Sequence, residues 1–124
     1  MEKTVMVIED EPALNEAITL KLRKEGIIVI PLGSAEEALV CLEKTKPDLI
    51  WLDVLLPGMS GLTFLKKIRS MSELEHLGVV VVSVSAGDEK IKQAFGLNVL
   101  DYIVKSQYPI DEIIRKIKHL LDHE

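Results

Sequence analysis

Five reactive side chains share one local setting in this sequence, because each stands at the end of a short aliphatic run. Glu9 and Asp10 follow Val5–Ile8, Asp53 follows Leu49–Leu52, Ser85 closes the run that begins at Val79, and Lys105 follows Tyr102–Val104. The remaining run, Ile27–Leu32, ends without a reactive group, at Pro31-Leu32-Gly33. Three carboxylates gathered in one cleft repel one another unless a cation joins them. Mg²⁺ suits such a set, since it takes oxygen ligands, keeps several waters and commonly bridges to a phosphate. An ammonium and a hydroxyl opposite the carboxylates complete a constellation suited to phosphoryl transfer, with a carboxylate as nucleophile.

The elements that must position these groups are legible from pattern. The five runs are rich in β-branched residues and continuous rather than alternating, as expected of strands covered on both faces of a parallel sheet. Between them lie helical segments. Pro12 suits a first helical turn, Leu14, Ile18 and Leu22 line one face, and Gly26 is the stop. Ser34 and Glu37 form a capping box, and Ser60 precedes the apolar face of Leu62, Leu65 and Ile68. A short segment carries Ile91, Ala94 and Phe95, and the last helix starts near Pro109. Five βα units in succession predict an α/β, doubly wound, three-layer sandwich. Ligands of such sheets bind beyond the carboxyl ends of the strands, at the switch point. If strands one and three are neighbours there, Glu9, Asp10 and Asp53 converge.

Composition excludes other classes. The chain of 124 residues allows one domain, and its core is aliphatic: 48% of residues are hydrophobic but only 4% aromatic. Fifteen Lys and Arg against twenty Asp and Glu give −5, which disfavours direct binding to a nucleic-acid backbone. No apolar run spans a bilayer, the N-terminus lacks the form of a signal peptide, and the lone Cys41 fits a reducing compartment. The expectation is a cytoplasmic domain. The first strand runs into Glu9-Asp10-Glu11 rather than a glycine-rich turn, so a dinucleotide site is not expected.

Five segments taken in order carry a resemblance to a known family. They are Val7-Ile8-Glu9-Asp10-Glu11-Pro12, Pro47-Asp48-Leu49-Ile50-Trp51-Leu52-Asp53, Pro57-Gly58-Met59-Ser60-Gly61, Val84-Ser85-Ala86 and Asp101-Tyr102-Ile103-Val104-Lys105. The sequence resembles the receiver domain of two-component response regulators over essentially residues 1–124. The resemblance implies a flavodoxin-like sheet of strand order 2-1-3-4-5 and a phosphoryl-accepting signalling domain rather than an enzyme. It implies that Asp53 is the phosphoacceptor for a phosphohistidine donor on a histidine kinase or phosphotransfer protein. Asp10 then binds Mg²⁺ directly, Glu9 directly or through water, and the Leu55 backbone carbonyl completes the protein ligands beside Asp53. Lys105 contacts the phosphoryl oxygens, Ser85 swings to the phosphoryl group, and Tyr102 turns inward as the switch aromatic. An output domain or downstream protein, and a phosphorylation-linked homodimer, are the partners so implied.

Some positions depart from that pattern. Ser106 rather than proline follows Lys105, predicting a trans bond there, and the stretch from Ser85 to Tyr102 is short, predicting a shortened fourth helix. Asn98 stands where glycine is common, a position that tolerates left-handed geometry. These changes fall on the fourth-helix and fifth-strand face and keep open a degenerate receiver acting as a phosphorylation-independent interaction module. A Mg²⁺ phosphohydrolase with an aspartyl intermediate is the remaining alternative. Neither Leu55 nor Gly87 offers an acid or amide to hold a hydrolytic water, so slow self-dephosphorylation is expected. Trp51 and Cys41 read as packing residues, and His76, His119 and His123 lack ligand spacing. Lys66, Lys67 and Arg69 read as a solvated helix face.

Overall fold

A computed structural model describes residues 2–84 and 87–123. The elements alternate: β1 (Thr4–Ile8), α1 (Pro12–Lys24), β2 (Ile28–Leu32), α2 (Ala35–Leu42), β3 (Leu49–Leu52), α3 (Gly61–Arg69), β4 (Gly78–Ser83), α4 (Asp88–Gly96), β5 (Asp101–Val104), a 3-10 turn (Lys105–Gln107) and α5 (Ile110–Asp122). All strand pairs are parallel and the sheet order is β2-β1-β3-β4-β5. The expected doubly wound sheet of order 2-1-3-4-5, with five helices, is therefore the fold, and α4 spans only nine residues.

The continuous apolar runs now have their physical reason. Alternate residues of each strand enter two separate cores. Met6, Ile8, Ile50, Leu52, Val79 and Val81 pack with α2, α3 and Ala94 of α4 on one face. Val5, Val7, Leu49, Trp51, Val80 and Val82 pack with α1 and α5 on the other. A polar side chain on either face of β1, β3 or β4 would be buried, so none of the ordinary half-exposed alternation survives.

Local signals set the helix boundaries. Pro12 opens α1, and Gly26 stands just past it at φ +81°, in the left-handed region that a Cβ disfavours. The Ser34 hydroxyl accepts the Glu37 N–H at 3.1 Å, while Glu37 returns its carboxylate to the N–H of Gly33 rather than of Ser34. Ser60 caps α3 through the N–H of Thr63. Asn98 takes φ +61°, the left-handed conformation expected of it, and turns the chain from α4 toward β5.

Arg69 corrects one expectation. It is half-buried at the end of α3, and its guanidinium donates to the carbonyls of Leu97 (2.7 Å), Glu75 (3.1 Å), Leu74 (3.3 Å) and Asn98 (3.3 Å). Burial lowers its pKa from the ordinary value. Lys66 and Lys67 do stand exposed, but Arg69 is the rivet between α3, the segment before β4 and the turn before β5. Arg69→Met should cost about 1–3 kcal/mol, because the apolar stem packs but the carbonyls lose their donors. Urea unfolding with an unchanged m-value checks this.

Candidate functional site at the switch point

β1 and β3 are neighbours from which the chain departs to opposite sides of the sheet, so their carboxyl ends border one cleft. The β1 end delivers Glu9, buried, and Asp10, exposed; the β3 end delivers Asp53, buried at 5% exposure. One carboxylate oxygen from each of the three lies within 4.8 Å of the others. Lys105 enters from the end of β5 across β4. Its Nζ donates to Glu9 Oε1 at 2.6 Å and to Asp53 Oδ2 at 3.1 Å.

The charges account for this arrangement. Two nearly buried carboxylates this close must be neutralised, and the ammonium between them does so. Burial alone would lower the Lys105 pKa, but hydrogen bonds to Glu9 and Asp53 and the charges of both outweigh it. The ammonium is held above its ordinary 10.5. The stability contributed by the raised lysine pKa is present below that ordinary value and is lost as pH climbs through the raised one. Lys105 is thus charged throughout the neutral range. No cis peptide occurs among the described residues, and the 3-10 turn from Lys105 lets the side chain reach both acids with serine next in the chain.

The remaining oxygens are also engaged. Glu9 Oε2 accepts the Glu11 N–H at 3.1 Å, and Asp53 Oδ1 accepts the Leu55 N–H at 2.8 Å. Asp53 Oδ1 accepts a second donor, the Ser83 hydroxyl, at 3.0 Å. Sequence reasoning passed over Ser83; a lone hydroxyl inside Val79-Val80-Val81-Val82 and Val84, two residues before Ser85, was the available signal. β4 ends at Ser83, and the switch hydroxyl expected at Ser85 lies outside the described residues.

Asn15 is a second missed residue. Buried on α1, it donates from Nδ2 to the carbonyls of Glu9 and Leu32, each at 3.0 Å, and accepts the Thr19 hydroxyl at 3.2 Å. It thereby holds the end of β1 against the end of β2 and fixes where Glu9 points. Gly61 performs the matching task on the other side. Its N–H donates to Val54 O, and a Cβ there would stand 2.3 Å from the Asp53 carbonyl oxygen. Tyr102 is half-buried against the α2–α4 core, and Leu55 is exposed. Trp51 is 1% exposed on the α1–α5 side and, with Lys105 and Tyr108, lines a cavity of about 130 Å³.

The donor set fits a hard cation. Three carboxylates, one of them exposed, leave room for waters, which is the coordination Mg²⁺ prefers. Each Glu9 oxygen accepts one protein donor, so a cation at Glu9 would share that carboxylate with Lys105 or displace it. Among the described residues no helix is long and apolar enough to cross a membrane.

Comparison with known proteins agrees with the geometry. The family model described as the response regulator receiver domain matches residues 5–118. The probable transcriptional regulatory protein TcrX of Mycobacterium tuberculosis is 36% identical over 120 residues, which is 95% of this chain and 49% of that protein. The DNA-binding response regulator MtrA of Mycolicibacterium smegmatis is 32% identical over 117 residues, 93% of this chain and 49% of that one. The chain spans about half the length of these curated relatives. The crystal structure of a putative response regulator from Chloroflexus aurantiacus superposes with a TM-score of 0.87 at 28% identity, covering 98% of this chain and 99% of the other. A parallel sheet of this order, an acidic triad at its switch point and a family match over nearly the whole chain have one common explanation: the chain belongs to the response regulator receiver domain family.

Proposed function

We propose that residues 1–124 act as one receiver domain that accepts a phosphoryl group on Asp53 from a phosphohistidine donor, in a Mg²⁺-dependent reaction. The observation that carries this reading is the convergence of Asp53 with Glu9, Asp10 and Lys105. Asp10, Asp53 and the Leu55 carbonyl would hold the cation, with Glu9 acting directly or through water. The bound ion supplies charge neutralisation at the phosphoryl oxygens. Lys105, set between Glu9 and Asp53, would turn its ammonium to the phosphoryl oxygens. Ser85 and Tyr102 are the proposed switch pair that carries the change outward.

The donor is a histidine kinase or a phosphotransfer protein, and the setting is cytoplasmic. The names of the two relatives support a regulator whose output is transcription, through a part of those proteins that this chain does not match. The domain itself contacts no nucleic acid on this reading. The exposed Phe95 and Leu100, on α4 and beside β5, support that face as the place for an output partner or a phosphorylation-linked homodimer. The degenerate module was motivated by the altered lysine loop and the short fourth helix; α4 spans nine residues, but Lys105 touches both acids, which supports the phosphoacceptor.

The phosphoryl lifetime follows from the same residues. Leu55 and Gly87, both exposed, have no acid or amide to hold an attacking water. Loading with phosphoramidate and Mg²⁺ should therefore give a single adduct that decays over minutes or longer after the donor is removed. A half-life of seconds would contradict this, and continuous phosphate release at catalytic turnover would instead favour the phosphohydrolase.

A further inference from the structure

Two histidines meet at the end of α5. His119 lies in its last turn and His123 at its C-cap, and both are exposed. Their ring centroids are 4.2 Å apart, with the planes inclined at 31°. The backbone N–H of His123 goes to the Leu120 carbonyl at 3.4 Å, one residue short of its helical partner His119. The His123 ring takes the His119 carbonyl instead, with Nδ1 2.8 Å from the oxygen. A carbonyl only accepts, so Nδ1 carries the proton and the neutral ring keeps its lone pair on Nε2. The expectation that these histidines lack ligand spacing is thereby corrected. An interval of four residues sets two imidazoles on one face of a helix, as in helical metal sites. The interval escaped notice because His123 stands past the last helical residue, where its ring bond to the His119 carbonyl holds it over the preceding turn.

We infer that His119 and His123 form a binding site for a late first-row divalent metal ion, Cu²⁺ before Ni²⁺ or Zn²⁺, separate from the acidic cleft at Asp53. Imidazole nitrogen suits these ions and suits Mg²⁺ poorly, and Cu²⁺ leads the affinity order at such sites. An ion about 2.0 Å from a ring nitrogen lies about 3.2 Å from that ring's centroid. Centroids 4.2 Å apart then subtend about 80° at the ion, near the right angle of a tetragonal site and well short of a tetrahedral one. The rings are stacked here, so ligation requires the exposed His119 ring to turn about its Cβ–Cγ bond, which leaves its centroid nearly in place. His123 keeps its carbonyl bond meanwhile. A ring N–H donated to a backbone carbonyl is the usual device that orients a ligating imidazole and fixes its tautomer.

The surrounding charge permits a cation. His119 lines a groove with Asp101, Glu112, Arg115 and Lys116, but Lys116 holds its ammonium over the Tyr108 ring at 4.8 Å. Lys118 is paired with Glu25 at 3.3 Å. Asp122 stands exposed beside His123, and the carboxyl end of a helix carries partial negative charge. Asp101 is the first residue of β5, so this groove lies at the amino edge of the sheet, away from the carboxyl edge that holds Asp53. The site therefore stands or falls independently of the phosphoacceptor reading.

The test titrates Cu²⁺ by calorimetry into the wild-type chain, His119→Ala, His123→Ala, His76→Ala and Asp53→Asn, with Mg²⁺ in excess. The electron paramagnetic resonance spectrum of each is recorded at one equivalent. The tightest ion on the wild type should show hyperfine coupling to two imidazole nitrogens. His119→Ala and His123→Ala should each bind at least about a hundredfold more weakly, because the second ligand no longer acts within the same molecule. His76→Ala and Asp53→Asn should keep the wild-type affinity and spectrum, since His76 lies beside Glu75 between α3 and β4 and Asp53 lies in the cleft. Metal-free melts should agree between the wild type and the two α5 variants, whose replaced side chains are exposed, which separates lost ligation from lost folding. Wild-type affinity in either α5 variant overturns the inference. So does a spectrum with oxygen donors only, or binding that disappears in Asp53→Asn, each of which puts the ion in the acidic cleft.

Discussion

Replacing Lys105 with methionine should make the fold depend on Mg²⁺ and should slow loading of the phosphoryl group by about a hundredfold. Both effects come from one geometry. The Lys105 ammonium lies 2.6 Å from Glu9 Oε1 and 3.1 Å from Asp53 Oδ2, and the two carboxylates are almost wholly buried. Methionine fills the path of the stem but leaves two neighbouring buried anions with no cation, a loss of about 3 kcal/mol in metal-free buffer. Mg²⁺ then finds an uncontested site, so millimolar Mg²⁺ should raise the Tm of the variant by more than it raises that of the wild type. Loading stays slow at saturating Mg²⁺, because charge on the phosphoryl oxygens has lost its ammonium partner. Thermal melts with and without Mg²⁺, alongside loading by phosphoramidate, check both parts. Equal Mg²⁺ stabilisation of variant and wild type would contradict the view that lysine and metal compete for Glu9.

Gly61→Ala should be nearly as damaging although it adds one methyl group. The new Cβ would lie 2.3 Å from the Asp53 carbonyl oxygen, 2.6 Å from Val54 Cα and 3.0 Å from the Asp53 carbonyl carbon. All three are backbone atoms, so no side chain can swing aside. Either the first turn of α3 lifts, breaking the Gly61 N–H to Val54 carbonyl bond, or the Asp53–Val54 segment shifts. Overpacking of this kind costs about 3 kcal/mol. A displacement near 1 Å at the acceptor costs on the order of a hundredfold in rate. The expected result is therefore a joint loss, in urea stability and in loading rate. Loss of stability with an unchanged loading rate would show that the strain is relieved through α3 alone.

The sequence was most informative where structure follows from neighbours in the chain. The caps at Ser34 and Ser60, the stop at Gly26 and the left-handed turn at Asn98 each depend on a few adjacent residues, and all four are as expected. The sheet was legible because burial on both faces leaves a continuous apolar run. Glu9, Asp10, Asp53 and Lys105 could be named because the end of a strand is a fixed address in this architecture.

What escaped depends on partners far apart in the chain. Ser83 is thirty residues from Asp53, and only the β3–β4 register brings the two together. Asn15 earned no notice because an amide on a helix is ordinary until two strand-end carbonyls are found facing it. Arg69 was misread for a related reason. A basic residue in the last turn of an amphipathic helix looks solvated, and its four carbonyl partners come from segments as distant as Leu97 and Asn98. Polar residues that tie elements together are thus harder to read than those that end them.

The central claim, that Asp53 takes the phosphoryl group with the help of a metal held by its neighbours, has one direct measurement. The wild-type chain and Asp53→Asn are incubated with phosphoramidate, each with Mg²⁺ and with excess chelator, and intact mass is recorded. The amide keeps the shape of the side chain but has no anionic oxygen to attack phosphorus or bind the ion. One phosphoryl group on the wild type in Mg²⁺, and none with chelator or on Asp53→Asn, is the predicted result. An adduct that persists in the variant, or a wild-type chain that stays unmodified at saturating donor and Mg²⁺, would contradict it.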